Sequence, residues 1–331
     1  EITRRSISQN HNISVSGGSD KSSYLFGMGY LDQQGIAVNS YLKRYSVRAN
    51  TQFNIKDKIR IGENAYIYYK TNPQFGNQSE GSPFLTAFRE SPIIPVYDIA
   101  GNYAGTKSQD FGNAQNPYAN VARTANNKNN NWNVAGNVYA EADILKHLTV
   151  RSSFGGEISN YYYYNFNYTA YENAEGNTAA NSFSEGAGYN SSWTWTNTLA
   201  YNNTFGKHNV KGLIGTEAIN YYGRSLSATR GSYFSLNPNY WSLNTGSPTG
   251  QSNDGSPYHG ALWSQFARVE YGYGDKYLVN ATIRRDASSV FAPDVRTGYF
   301  PSVSAAWRIS QENFLKNVSW INDLKVRYSW G

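Results

Sequence analysis

The sequence predicts an all-β fold: part of an antiparallel transmembrane β-barrel, with short turns at one end and long loops at the other. Three observations predict it. The composition is rich in strand and turn formers, apolar residues recur with period two along most of the chain, and the connections between candidate strands alternate between short and long.

Of 331 residues, 29 are Tyr, 15 Phe and 8 Trp, so aromatics reach 16%, while charged residues are also only 16%. An average soluble domain carries roughly 25% charge. Asn, Ser, Thr, Gly and Tyr fill the gap, a mix that suits pleated surfaces and tight turns. No run approaches the ~18 consecutive apolar residues of a spanning helix, which excludes a helical membrane protein. Zero cysteines remove disulfides and thiolate metal sites. The net charge of +6 comes from scattered basic residues, so nucleic acid is not expected as a partner. No signal peptide precedes Glu1, so either a cytoplasmic protein or a chain trimmed upstream is expected, and the strand-like run from Leu324 stops at Gly331 without a turn or closing element, as a cut end would.

About twelve strands are expected, near 10–18, 22–32, 43–55, 59–70, 132–144, 147–165, 190–205, 208–225, 262–274, 277–287, 299–309 and 323–330. Tyr24, Phe26, Met28 and Tyr30 share one face of the second. Tyr277, Val279, Ala281 and Ile283 oppose Leu278, Asn280, Thr282 and Arg284 in the tenth. Tight turns are expected at Ser19–Lys21, Lys56–Lys58, Leu145–His147, Gly206–His208 and Gly274–Lys276, and long segments at 33–42, 71–131, 166–189, 226–261 and 288–298. A membrane barrel gives this asymmetry a cause: short periplasmic turns and longer extracellular loops. Within 71–131, Ser82 as N-cap, Pro83 at the first helical position and Pro92 beyond predict one short helix. The polar tract Asn126–Asn131 has little to bury and is expected to be mobile.

Several stretches resemble the SusC/RagA-like family of TonB-dependent outer-membrane transporters. They are His11-Asn12-Ile13-Ser14-Val15-Ser16-Gly17-Gly18, Tyr30-Leu31-Asp32-Gln33-Gln34-Gly35-Ile36, Arg44–Asn50, Ser91–Asp98 with Gly101-Asn102-Tyr103, and Asn116-Pro117. The most specific block follows in order: Arg284–Phe291, Gly298–Ser310 and Leu324–Gly331, with Trp330 where a smaller residue is expected. The resemblance implies a parent with a plug domain, a TonB-contacting segment and a barrel of about 22 strands. Residues 1–331 then form part of that single barrel domain, lacking plug, TonB-contacting segment and C-terminal strands. It also implies a SusD-like surface lipoprotein and TonB as partners, outer-membrane lipid around the barrel, and a first strand running inward from the cell surface.

By that reading the chain is the barrel portion of an active importer of oligosaccharides or peptides, not an enzyme, with no cofactor and no metal. GxSxG, Walker, HExxH and dinucleotide patterns are absent from the sequence, and His11, His147, His208 and His259 lack metal spacing. The candidate ligand contacts are loop aromatics that can stack on sugar or peptide: Tyr97, Tyr103, Tyr118, Tyr233, Tyr240, Trp241 and Tyr258. Loop-to-loop packing is the competing role for each. Tyr66, Tyr68, Tyr69, Trp193, Trp195 and Trp263 are expected in an interfacial girdle. Arg284, Arg285 and Asp286 are expected as an ion pair in the lumen or at a loop base. Two other functions fit the residues: a passive pore or adhesin, and a soluble carbohydrate-binding β-protein.

Overall fold

The computed structural model describes residues 2–56, 58–73, 82–107, 110–315 and 318–331. Twelve strands form one sheet in chain order, each antiparallel to the next. They are β1 Ser8–Ser19, β2 Ser22–Gln34, β3 Tyr41–Ile55, β4 Ile59–Asn72, β5 Lys128–Leu145, β6 Leu148–Asn167, β7 Ser182–Phe205, β8 His208–Gly231, β9 Ser247–Tyr273, β10 Tyr277–Ser288, β11 Thr297–Arg308 and β12 Lys325–Trp330. Short turns join β1–β2, β3–β4, β5–β6, β7–β8 and β9–β10 at one end. Left-handed backbone makes some of them tight: Gly206 and Gly274 sit at φ 60° and 58°, where a Cβ is strained. Asp57, in the second expected turn, lies outside the described residues. Segment 309–324 departs from the pattern, leaving from the short-turn end yet running long.

Register divides the sheet into two walls. Val279 faces Tyr271 on one side and Ala305 on the other, Ala281 faces Val269 and Val303, and Ile283 faces Ala267 and Pro301. Followed back through the register to β1, this wall carries Val15, Phe26, Val47, Ile67, Val134, Phe154, Ile214 and Val269. All of these stand 43% exposed or more. A continuous exposed apolar wall of this extent needs an apolar medium against it. Glu63 breaks the wall, with Thr51 Oγ1 donating to its carboxylate at 3.1 Å.

The opposite wall is polar and tied together by charge. Arg60 donates to Glu141 at 2.6 Å and to both oxygens of Asp143 at 2.8 Å. Arg151 joins Glu141 and lies over the Tyr139 ring at 4.2 Å. Arg284 reaches Glu217 at 2.9 Å, with Asp286 and Ser264 each at 2.8 Å. The small apolar core sits at the long-loop end, where Phe166, Phe183 and Tyr233 are buried against Tyr164, Tyr168, Trp241 and Leu243.

Several sequence expectations change here. The ninth strand begins at Ser247 rather than near 262, and the seventh at Ser182 rather than near 190, so strands overrun into segments expected as loops. Residues 247–261 alternate nothing, because water meets both faces of that stretch. The tract expected to be mobile enters β5 at Lys128, and Asn127 Oδ1 accepts from Phe166 N–H. The short helix forms as expected: α1 spans Pro83–Arg89, with Ser82 Oγ accepting from Leu85 N–H at 3.3 Å. A second helix, α2 Pro117–Ala122, is capped in the same way by an Asn-Pro pair, Asn116 Oδ1 accepting from Ala119 N–H at 2.9 Å.

Candidate functional site: the polar wall and its long-loop rim

At the rim, two loops lock together. Arg123, just past α2, donates to Glu172 of the β6–β7 loop at 2.7 Å, and the Glu172 side chain is only 2% exposed. Burial pushes that carboxyl up, but Arg123 and backbone amides outweigh it and bring the pKa below the ordinary carboxylate value. Lys107 N–H donates to Glu172 O, Asn116 N–H to Asn173 Oδ1, and Ala174 N–H to Thr106 Oγ1. Asp98 organises the neighbouring bend, accepting from the amides of Ala100 and Asn102 at 2.8 and 2.9 Å. Those donors, Asn102 first, hold its carboxyl below the usual range.

This lock gathers three of the seven candidate aromatics. Tyr97, Tyr103 and Tyr118 lie 5.6 to 6.3 Å apart by ring centroid, and Arg123 stands 5.1 Å over the Tyr103 ring. The remaining four separate. Tyr233 is buried with its hydroxyl donating to Ser242 O, and Trp241 stacks on Phe166 at 4.4 Å, so both pack the loop core. Tyr240 lies against Phe234. Tyr258 is not a loop residue: it stands on the polar wall of β9, its hydroxyl donating to Asn190 Oδ1 at 2.9 Å.

Tyr258 has company that sequence reasoning did not assign to a site. Tyr161 and Tyr163 of β6 and Tyr221 of β8 point to the same wall, with Tyr221 6.3 Å from Tyr258. Glycines face these rings across the ladder: Gly188 opposite Tyr161, Gly186 opposite Tyr163, Gly260 opposite Tyr221 and Gly223 opposite Tyr258. A Cβ at Gly188 or Gly260 meets ring atoms at 2.2 or 2.1 Å, so glycine is what lets each ring lie flat along the wall. The readable signal is the pairing of tyrosine with glycine on adjacent strands. Nearer the short-turn end, the wall holds a depression of about 660 Å³ lined by Arg48, Asn50, Asn64, Tyr66, Asn137 and Thr194.

No family model matches the chain. Among curated proteins, the TonB-dependent receptor P3 of Formosa agariphila is 30% identical across 99% of the chain, and the TonB-dependent receptor SusC of Bacteroides thetaiotaomicron 27% across 100%. Among solved structures, the RagAB peptide importer in its closed-closed state superposes with a TM-score of 0.77 over 98% of the chain at 25% identity. Over nearly its whole length the chain is similar to SusC/RagA-like TonB-dependent receptors. It spans about a third of these proteins, 33% and 34% of the two curated relatives and 36% of the RagAB chain. The ferric citrate transporter FecA, at 7% identity with a TM-score of 0.58 over 92% of this chain and 40% of its own, shares the fold alone.

In a SusC/RagA-like barrel, seated in the outer membrane, the apolar wall faces lipid and the polar wall faces the lumen. The long-loop end is extracellular. On the lipid face, His11, Tyr30, Tyr45, Tyr69 and Trp132 are register partners in turn, their rings 4.4 to 6.5 Å apart, forming an aromatic belt across β1–β5. Trp193, Trp195 and Trp263 stand on the same outward wall. Tyr66 and Tyr68 do not, because alternation along β4 sends them to the lumen. Of the Arg284–Asp286 block, Arg284 and Asp286 pair in the lumen while Arg285 faces outward, donating to Gln265 Oε1 at 3.3 Å.

Proposed function

We propose that residues 1–331 are part of the barrel domain of an active importer that draws an oligosaccharide or a peptide across the outer membrane. The observation that carries this reading is the pair of lumenal tyrosine contacts, Tyr161 with Tyr163 and Tyr221 with Tyr258, together with the Tyr97–Tyr103–Tyr118 cluster of the long-loop rim, flat rings offered to a ligand passing inward. Sugars present CH faces and peptides present apolar side chains to such rings, and both fit. We assign the ligand contacts to these residues rather than to Tyr233 and Trp241, whose rings are spent on loop packing.

Transport of this kind needs no bond chemistry in the barrel wall. The rest of the parent supplies the plug, the TonB-contacting segment and the remaining strands, and a SusD-like lipoprotein covers the extracellular mouth. The name of the RagAB peptide importer supports the peptide class, and the relationship to SusC supports an importer of the same family. The test is uptake of labelled oligosaccharides and peptides by cells carrying the full-length parent, before and after the inner-membrane proton gradient is collapsed. One class is expected to enter and to stop entering when the gradient goes. Uptake that persists without the gradient contradicts active import and favours a passive pore.

A further inference from the structure

We propose that the lipid-facing wall just above the aromatic belt of β2–β5 binds the phosphorylated sugar headgroup of an outer-leaflet glycolipid. The site does not depend on what the barrel transports. Immediately extracellular to Tyr30, Tyr45, Tyr69 and Trp132, the next outward row runs Asp32, Lys43, Thr71, Asn130, each the register partner of the one before. Lys128 follows one outward step beyond Asn130, and Arg4 comes over from the residues before β1. Together they line a cavity of about 420 Å³.

The charges select the occupant. Three cations, Arg4, Lys43 and Lys128, line the cavity with one carboxylate, Asp32. Arg4 is held in place by the carbonyls of Gly35 and Ser40 at 3.2 and 2.8 Å, so its charge is not neutralised. Lys43 reaches Asp32 at 3.5 Å yet remains 43% exposed, and Lys128 makes no ion pair among the described residues. Asp32 Oδ2 accepts from Tyr30 hydroxyl, whereas Asp32 Oδ1 is sealed from solvent and accepts nothing among the described residues. The site lies at the extracellular end of the lipid face, so the phosphate within its reach is that of an outer-leaflet lipid. Cations at headgroup depth attract phosphate, and Thr71 and Asn130 add polar partners.

The lipid face of β6–β11 shows the contrast. A larger cavity there, about 530 Å³, is floored by Val150, Leu199, Ile214 and Ala267 and offers Arg285 as its cation. It suits an acyl chain and lacks the converging charges of the β2–β5 site.

The full-length parent, purified and reconstituted into phosphatidylcholine nanodiscs, can be titrated with lipid A carrying its phosphates, with dephosphorylated lipid A, and with phosphatidylglycerol. Native mass spectrometry reads the bound lipid. The expected result is preference for phosphorylated lipid A over both others, and a loss of roughly 10- to 30-fold in affinity for Lys43→Gln/Lys128→Gln. Lys58→Gln at the periplasmic end is expected to bind as the unaltered protein does. Equal binding of all three lipids by the unaltered protein overturns the proposal whatever the variants do, and so does a folded double variant with unchanged affinity.

Discussion

Arg284 and Arg285 are neighbours on β10, yet among the described residues the first sits among Glu217, Asp286 and Ser264 while the second donates to the side-chain amide oxygen of Gln265 alone. The same contrast holds for the two walls as wholes. The lumenal wall spends its charges in networks such as Arg60 with Glu141 and Asp143, and the outward wall replaces charge by exposed Val, Ile and Phe. The difference teaches that strand chemistry here is set by the solvent each face meets, not by strand propensity, because every other residue of one strand obeys a different rule.

The largest expected effect comes from breaking that rule. Val269→Arg places a cation in the lipid band and is expected to cost about 2 to 4 kcal/mol of folding stability in bilayers. Thr282→Arg, on the lumenal face of the adjacent strand, is expected to cost far less. Denaturant-dependent refolding of the full-length parent into lipid vesicles measures both, and equal costs break the comparison.

The next effect lies at the extracellular rim. Glu172→Ala leaves Arg123 without its buried partner, a change on the order of 3 kcal/mol for the loop lock. Hydrogen exchange at Lys107 and Asn116 amides is expected to accelerate, with the barrel strands unaffected.

A smaller effect is expected at the periplasmic rim, on segment 309–324. Glu312 accepts from Lys276, Tyr277 and Trp307, which lower its pKa to about 2. The folded value lies below the ordinary glutamate value of about 4.3. The contribution to holding this segment is therefore present above that ordinary value and is lost as pH falls through about 2. Protection of the segment in hydrogen exchange is expected to decline across that acid window in the unaltered protein and to show no such decline in Glu312→Gln.

The smallest effect sharpens the outward wall. Glu63 faces lipid with the Thr51 hydroxyl as its one hydrogen-bond partner among the described residues, so Glu63→Val is expected to raise stability by up to about 1 kcal/mol in the same refolding assay. A fall in stability says that Glu63 has a purpose the lipid face does not explain.

Much of this was legible in the sequence because lipid imposes alternation. Tyr24 to Tyr30, Tyr277 to Ile283 and the tight turns at Gly206 and Gly274 all read correctly, and so did the helix capped by Ser82. What escaped lies above the membrane. There both faces of β7, β8 and β9 meet water, alternation fades, and residues 247–261 read as loop although they pair with β8. That error put Tyr258 among loop aromatics. The geometry of the candidate site was only half legible. Tyr97, Tyr103 and Tyr118 are separated in sequence by loop whose folding depends on Arg123 meeting Glu172 at long range, a contact that no local pattern announces. Tyr66 and Tyr68 were placed by type when parity along β4 already assigned them to the lumen.

The assignment of the two walls is the claim on which the rest stands. This segment contains no cysteine, so single cysteines can be placed at each of residues 278 to 283 in the full-length parent. Reaction with a water-soluble maleimide in intact outer-membrane vesicles then reads each face directly. Labelling at Leu278, Asn280 and Thr282, with Val279, Ala281 and Ile283 silent, is the predicted result. Uniform labelling, or the reverse alternation, contradicts the account.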